Sequence, residues 1–204
     1  LLASKGTVTF VDLVARFDRR DMIDHLMDMA QADPEQVSGI RAVGQVISFQ
    51  QWDPIWNALA DPQRATPFIK ALGYVGNQHS RNYLLGVVTN ESQPEATRRL
   101  AIAAMGQTSI AAESLMKLVQ DNGLPKEYLA SAIAALTLSP GPNTRIYAAE
   151  QRDLLVPVEA RWPLEKLLAA QPDSAQGFAA FQKADCIKCH KIGDQGKDFG
   201  PDLS

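Results

Sequence analysis

Five residues near the end of the chain are of types, and at a spacing, that do chemistry together: Cys186, Ile187, Lys188, Cys189 and His190. Two thiols three positions apart can each form a thioether to one porphyrin vinyl group. The adjacent imidazole can reach iron from the proximal side, and C-x-x-C-H is the attachment signature of a c-type haem. The chain holds two cysteines and three histidines, His25, His79 and His190, so this pentad takes both cysteines. A redox dithiol and half a zinc site are the other chemistries open to C-x-x-C. A zinc ribbon needs a second ligand pair, and there is no other cysteine. His190 with two thiolates makes three ligands, and a fourth from Asp194 is crowded. A thioredoxin-like motif should follow a strand and open a helix, whereas this one follows a helical pattern with no parallel-strand runs nearby. One covalently held haem c is therefore the expected cofactor, with His190 as its iron ligand.

The flanking sequence runs GFAAFQKADCIKCHKIGDQGKDFGPDLS from Gly177 to Ser204. It resembles the first part of a class I cytochrome c domain: a short amphipathic helix with a glycine and an aromatic on one face, the C-x-x-C-H, a glycine-bearing loop, then Gly-Pro-x-Leu. Gly177 and Phe181 match the helix pair, and Gly200-Pro201-Asp202-Leu203 matches the last element. The run is also similar to the haem-binding domain common in planctomycete and verrucomicrobial proteins, which carries the same loop and G-P-D-L and often follows helical repeats or a propeller-type dehydrogenase domain. That resemblance implies that the backbone carbonyl of Pro201 accepts the second ring N–H of His190, fixing the imidazole as second-sphere acceptors do. It implies that Phe181 and Leu203 line the cofactor. It also implies a distal ligand, usually a methionine far downstream, and a C-terminal helix. Met22, Met27, Met29, Met105 and Met116 all lie upstream on helical patterns, where they read as packing residues. The expectation is a truncated haem domain, completed by sequence outside this chain or by another chain.

The elements that must carry this site are helical. A signature recurs at Ala42-Val43-Gly44, Ala71-Leu72-Gly73, Ala104-Met105-Gly106 and Ala135-Leu136-Thr137, its last positions separated by 29, 33 and 31 residues. Each copy closes a helical run and precedes a turn and a second apolar run. In the clearest unit, Leu100, Ala103 and Ala104 share one face of the first helix, and Leu115, Leu118 and Val119 face inward from the second. One helix hairpin cannot bury its apolar face alone, whereas stacked hairpins bury a continuous core. Pro34, Pro62, Pro94 and Pro125 fall near helix starts. Gly44, Gly73 and Gly106 read as helix C-termini wanting positive φ. Residues 34 to 150 resemble HEAT-type repeats; an irregular bundle with an accidental period is the alternative. Pro140, Gly141, Pro142, Pro157, Pro163 and Pro172 predict broken helices and a linker between 140 and 175. The expected fold is all-α: a helical cap or preceding repeat at 1–33, a HEAT-like α-solenoid with its linker at 34–170, and the N-terminal part of a cytochrome c domain at 171–204.

Composition sets bounds. A 204-residue chain that is 46% hydrophobic can bury a real core in one or two domains. A net charge of −3 argues against a nucleic-acid partner. No apolar run reaches membrane-span length. Leu1-Leu2-Ala3-Ser4 is too short for a signal peptide, and the absence of an initial Met suggests a processed or excised chain. His25, with Asp21, Asp24 and Asp28 nearby, reads as part of a charged helix face. His79 falls in a repeat turn. Trp52, Trp56 and Trp162 read as core or interface packing, and Arg98-Arg99 as decoration of a repeat face. The cytochrome resemblance implies electron transfer to a redox partner protein or dehydrogenase subunit, in a periplasmic or otherwise extracytoplasmic compartment where such haem is attached. The competing expectation is a repeat scaffold that binds proteins and carries a structural or sensory haem. No residues suggest a catalyst acting by itself.

Overall fold

The computed structural model describes residues 2–155, 164–169, 171, 173–184, 186–197, 200 and 202–203. The fold is all-α, with two short strands near the C-terminus. It divides into two compact units, Leu1–Pro157 and Val158–Ser204. The residues expected to form a helical cap or preceding repeat, 1–33, fall in the first unit, and the division falls ahead of position 170.

The first unit runs through α1 (Val8–Arg16) and α2 (Ile23–Ala32), α3 (Val37–Ser48) and α4 (Asp53–Ala60), α5 (Ala65–Val75) and α6 (Gln78–Thr89), α7 (Glu95–Met105) and α8 (Ser109–Gln120), and α9 (Lys126–Thr137) and α10 (Pro142–Leu155); the two helices of each of the last three pairs pack on each other as hairpins, whereas α2 packs chiefly on α3. Local chemistry sets the starts. Thr7 accepts from the Phe10 amide, and Asn77 and Ser80 form a reciprocal capping box. Pro94 and Pro125 stand immediately before α7 and α9, with extended ψ near 145° that leads into the first turn. Between pairs, α3 packs on α5, α5 on α7 and α7 on α9, while α6 packs on α8 and α8 on α10. The core runs through these contacts: Val43, Phe68, Leu72, Ile102, Met105, Leu115 and Leu136 are almost wholly buried. Met27, Met29 and Met105 are buried in it, with Met22 and Met116 packed against its edge.

Several expectations need correction. Gly44 and Gly73 lie inside helices, and Gly106 caps α7 with φ −71°, so none of the three supplies positive φ. Two of them are sites of close approach. A Cβ on Gly73 would stand 3.1 Å from the Ala104 carbonyl, and one on Gly106 would stand 2.6 Å from the Ala135 carbonyl. The recurring alanine of one pair thus rests on the recurring glycine of the pair before it. Positive φ is instead adopted by Gly76, just past α5, at +69°. Ala103 is exposed, while Ala101 and Ile102 take the buried face with Ala104. Residues 142–155 form one continuous helix, because Pro142 sits at its first position where no donor is needed. The Ser139–Pro142 corner is closed by buried hydrogen bonds between Ser139 and Thr144 and from Thr144 to the Gly141 carbonyl, 2.8 Å. Pro157, Pro163 and Pro172 lie outside the described residues.

Arg98 is also not decoration. It is 8% exposed. Its Nε donates to the Val88 carbonyl at 2.9 Å, in the last turn of α6, where helix carbonyls lack partners. Its guanidinium lies 4.5 Å from the Tyr128 ring centre, and that of Arg99 lies 5.2 Å from the same ring. Arg99 does sit at the surface, bonded to Glu95, Ser131 and the Glu127 carbonyl.

The second unit contains α11 (Leu164–Ala169), α12 (Ser174–Lys183), a 3-10 turn at Cys186–Lys188, and an antiparallel pair β1 (Lys191–Ile192) and β2 (Gln195–Gly196). Asp173 caps α12, accepting from the Ala175 and Gln176 amides.

Candidate functional site

The pentad is one tight turn. The Cys189 amide donates to the Cys186 carbonyl at 3.1 Å, and the His190 amide donates to the same oxygen at 2.9 Å. An i to i+3 bond of this kind places residues three apart over one another. Cys186 and Cys189 are therefore presented from one side of the turn, and both are exposed free thiols. His190 follows at once, half-buried.

The loop after the pentad is folded back onto it. The Lys197 amide donates to the His190 carbonyl at 3.2 Å, the Gly200 amide to the Cys189 carbonyl at 2.7 Å, and the Leu203 amide to the Lys191 carbonyl at 2.9 Å. The register Lys191↔Gly196 and Ile192↔Gln195 closes the hairpin through Gly193, at φ +56°. Gly196 has φ +103°, and a Cβ there would collide with the His190 carbonyl.

Gly200 makes the most informative contact. A Cβ at this position would stand 2.7 Å from Cε1 and 2.8 Å from Nδ1 of His190. The imidazole therefore lies on the bare backbone of Gly200, and no other residue fits without moving the ring. This brings the first residue of the Gly-Pro-Asp-Leu element to the histidine of the pentad, across ten positions of sequence. The chemistry of the donor set fits a c-type haem: two accessible thiols on one turn and an imidazole held from behind by the loop. Pro201, whose carbonyl was expected to accept from His190, lies outside the described residues. Leu203 is 52% exposed. Phe181 stacks on Phe178 along α12, with centroids 6.2 Å apart. Among the described residues no atom stands within 4 Å of where a Cβ on Gly177 would be.

Gly196 is the site residue that sequence reasoning did not single out. Its signal was available only as a glycine within a loop; that it abuts the His190 carbonyl depends on the hairpin register.

The remaining candidates resolve separately. Asp21 pairs with Arg19 rather than with His25, its Oδ2 2.6 Å from Arg19 Nη2, and this bond holds the Asp21 carboxyl below its ordinary range. His25 Nδ1 lies 4.0 Å from Asp28 on the same helix. Trp52 and Trp56 are not core residues, being 37% and 43% exposed. His79 packs on Trp52 with the rings tilted, their centres 4.8 Å apart. Trp162 lies outside the described residues.

Comparison of the chain with protein-family models, with curated proteins and with solved structures finds no match. Among the described residues, no helix is long and apolar enough to cross a membrane.

Proposed function

We propose that this chain carries one c-type haem on Cys186 and Cys189, ligated by His190, and serves electron transfer between that haem and a redox partner protein or dehydrogenase subunit. The observation that carries the reading is the contact of Gly200 with the His190 imidazole. It joins two sequence elements that a haem-attachment loop needs side by side and that a bare dithiol does not need. A bound haem supplies one-electron chemistry at its iron. Each thiol would hold it by adding S–H across one vinyl double bond, forming a C–S bond with no leaving group. His190 would supply a nitrogen to its iron, and Gly200 and the hairpin fix the ring's orientation. Attachment of this kind would take place in the periplasm or another extracytoplasmic compartment.

The first unit is read as a HEAT-like α-solenoid that docks the haem segment to its partner. The packing of each first helix on the next first helix supports this. So do seven of the side-chain hydrogen bonds made between pairs. Arg20 to Phe49, Arg64 to Gln31, Lys70 to Glu35, Arg81 to Ser114, Tyr83 to Trp52, Gln93 to Leu59, and Arg99 to Ser131 span 29 to 35 residues, about one repeat.

Expression in a host with c-type maturation, followed by a pyridine haemochrome spectrum and intact mass after denaturation, tests the cofactor. One haem retained per chain is expected, lost when either cysteine becomes alanine. A chain without covalent haem overturns the reading. Rapid reversible oxidation of the reduced protein by a small soluble electron carrier supports electron transfer. Spectral change with an added iron ligand, without that exchange, supports the sensory scaffold instead.

A further inference from the structure

A recess of about 240 Å³ opens on the first unit between α4 and α6, lined by Trp52, Trp56, His79, Asn82 and Tyr83. Its rings are arranged, not merely exposed. Trp56 packs on Tyr83 with centroids 4.7 Å apart, and Trp52 packs on His79. The Tyr83 hydroxyl donates to the Trp52 carbonyl at 3.1 Å, tying the start of α4 to α6. Trp56 is seated on Gly86, where a Cβ would stand 2.6 Å from the indole Cη2. Glycine is among the least favourable residues for a helix interior, and Gly86 lies inside α6. An indole needing core burial alone would not call for that seat while remaining 43% exposed.

We propose that this recess binds a small organic cation, an alkylammonium group of the trimethylammonium type, over the faces of Trp52 and Trp56. Aromatic faces attract such cations, and the lining contains no lysine or arginine to repel one. Asp53, exposed at the first position of α4, follows Trp52 directly, so a carboxylate stands next in the chain to a lining residue. A sugar would require a fan of hydrogen-bonding groups. The lining offers Asn82, His79 and the two indole N–H groups, with the Tyr83 proton committed to the Trp52 carbonyl. The volume lies below the roughly 300–1,000 Å³ of pockets that enclose a whole drug-sized ligand, so it suits a headgroup.

The test follows the indole N–H cross-peaks of Trp52 and Trp56 while the full chain is titrated with choline, with its neutral isostere 3,3-dimethylbutan-1-ol, and with phosphatidylcholine vesicles. Saturable shifts with choline are expected, with the isostere binding roughly tenfold more weakly, the worth of a single cation–π contact. Asp53→Asn, which leaves the rings in place, should weaken choline severalfold. Trp56→Ala should abolish binding while the helical circular dichroism is unchanged. Equal affinity for choline and its isostere, or no saturation, overturns the proposal. Response to vesicles but not to choline also overturns it, assigning the face to a lipid surface instead.

Discussion

A hydrogen atom where other residues carry a methyl group lets Gly200 lie against His190. Gly200→Ala should push the imidazole off its seat. With the proposed haem bound, roughly a tenfold or greater loss in the hold of that nitrogen on iron is expected, as for other changes behind a metal ligand. Reduction potential and spectrum of the purified haem protein would show it, with the helical signal unchanged. Arg98 is a second single-residue lever. Arg98→Ala leaves the Val88 carbonyl buried without its donor, at a cost of about 1–3 kcal/mol in urea unfolding. Tyr83 gives a pH dependence. Burial first, and the Asp53 charge second, push its hydroxyl up to about 12 from an ordinary 10.0. The folded chain therefore keeps a proton that the unfolded chain loses. This contribution to stability is whole below pH 10 and drains away as pH rises from 10 to 12. Tyr83→Phe should flatten the unfolding free energy across that window.

Among the elements, the three recurring glycines separate by what they touch. Gly44 has only Val75 Cγ1 near, at 4.0 Å, so Gly44→Ala should stabilise α3 by about 0.5–1 kcal/mol. Gly106→Ala drives a methyl group into the Ala135 carbonyl and should destabilise by about 1–3 kcal/mol, with Gly73→Ala on the same side. Opposite signs within one repeated motif, read from denaturant midpoints, would establish that the glycines space the helices. The helices themselves were legible because their apolar period, prolines and caps are local. The glycines' purpose was not, since A-x-G before a turn looks the same whether it ends a helix or admits its neighbour. Arg98 was misread for a related reason: its partner, Val88, lies on another helix, and a charged residue on a helical pattern ordinarily faces water. The continuity of α10 was hidden by prolines that mark its beginning rather than its breakage.

At the scale of the whole molecule, the fully buried apolar residues among those described run from Phe10 to Ala148, all within the first unit. A chain of residues 1–157 should therefore keep its helical signal and unfold cooperatively on heating, a transition that calorimetry follows directly. The pentad was legible from five adjacent letters, and Gly-Pro-Asp-Leu from four more. The pressing of Gly200 on the ring was not, because it depends on a two-stranded hairpin that no periodicity announces. The order of helix contacts has one further consequence. Each helix packs chiefly on helices one or two places along the chain, so no long loop must close before the core begins to form. A pair of helices emerging from a ribosome or a translocation pore can settle on the pair that came before it. The nascent chain can then grow the core of its first unit from the N-terminal side, before the Cys186–His190 turn is made.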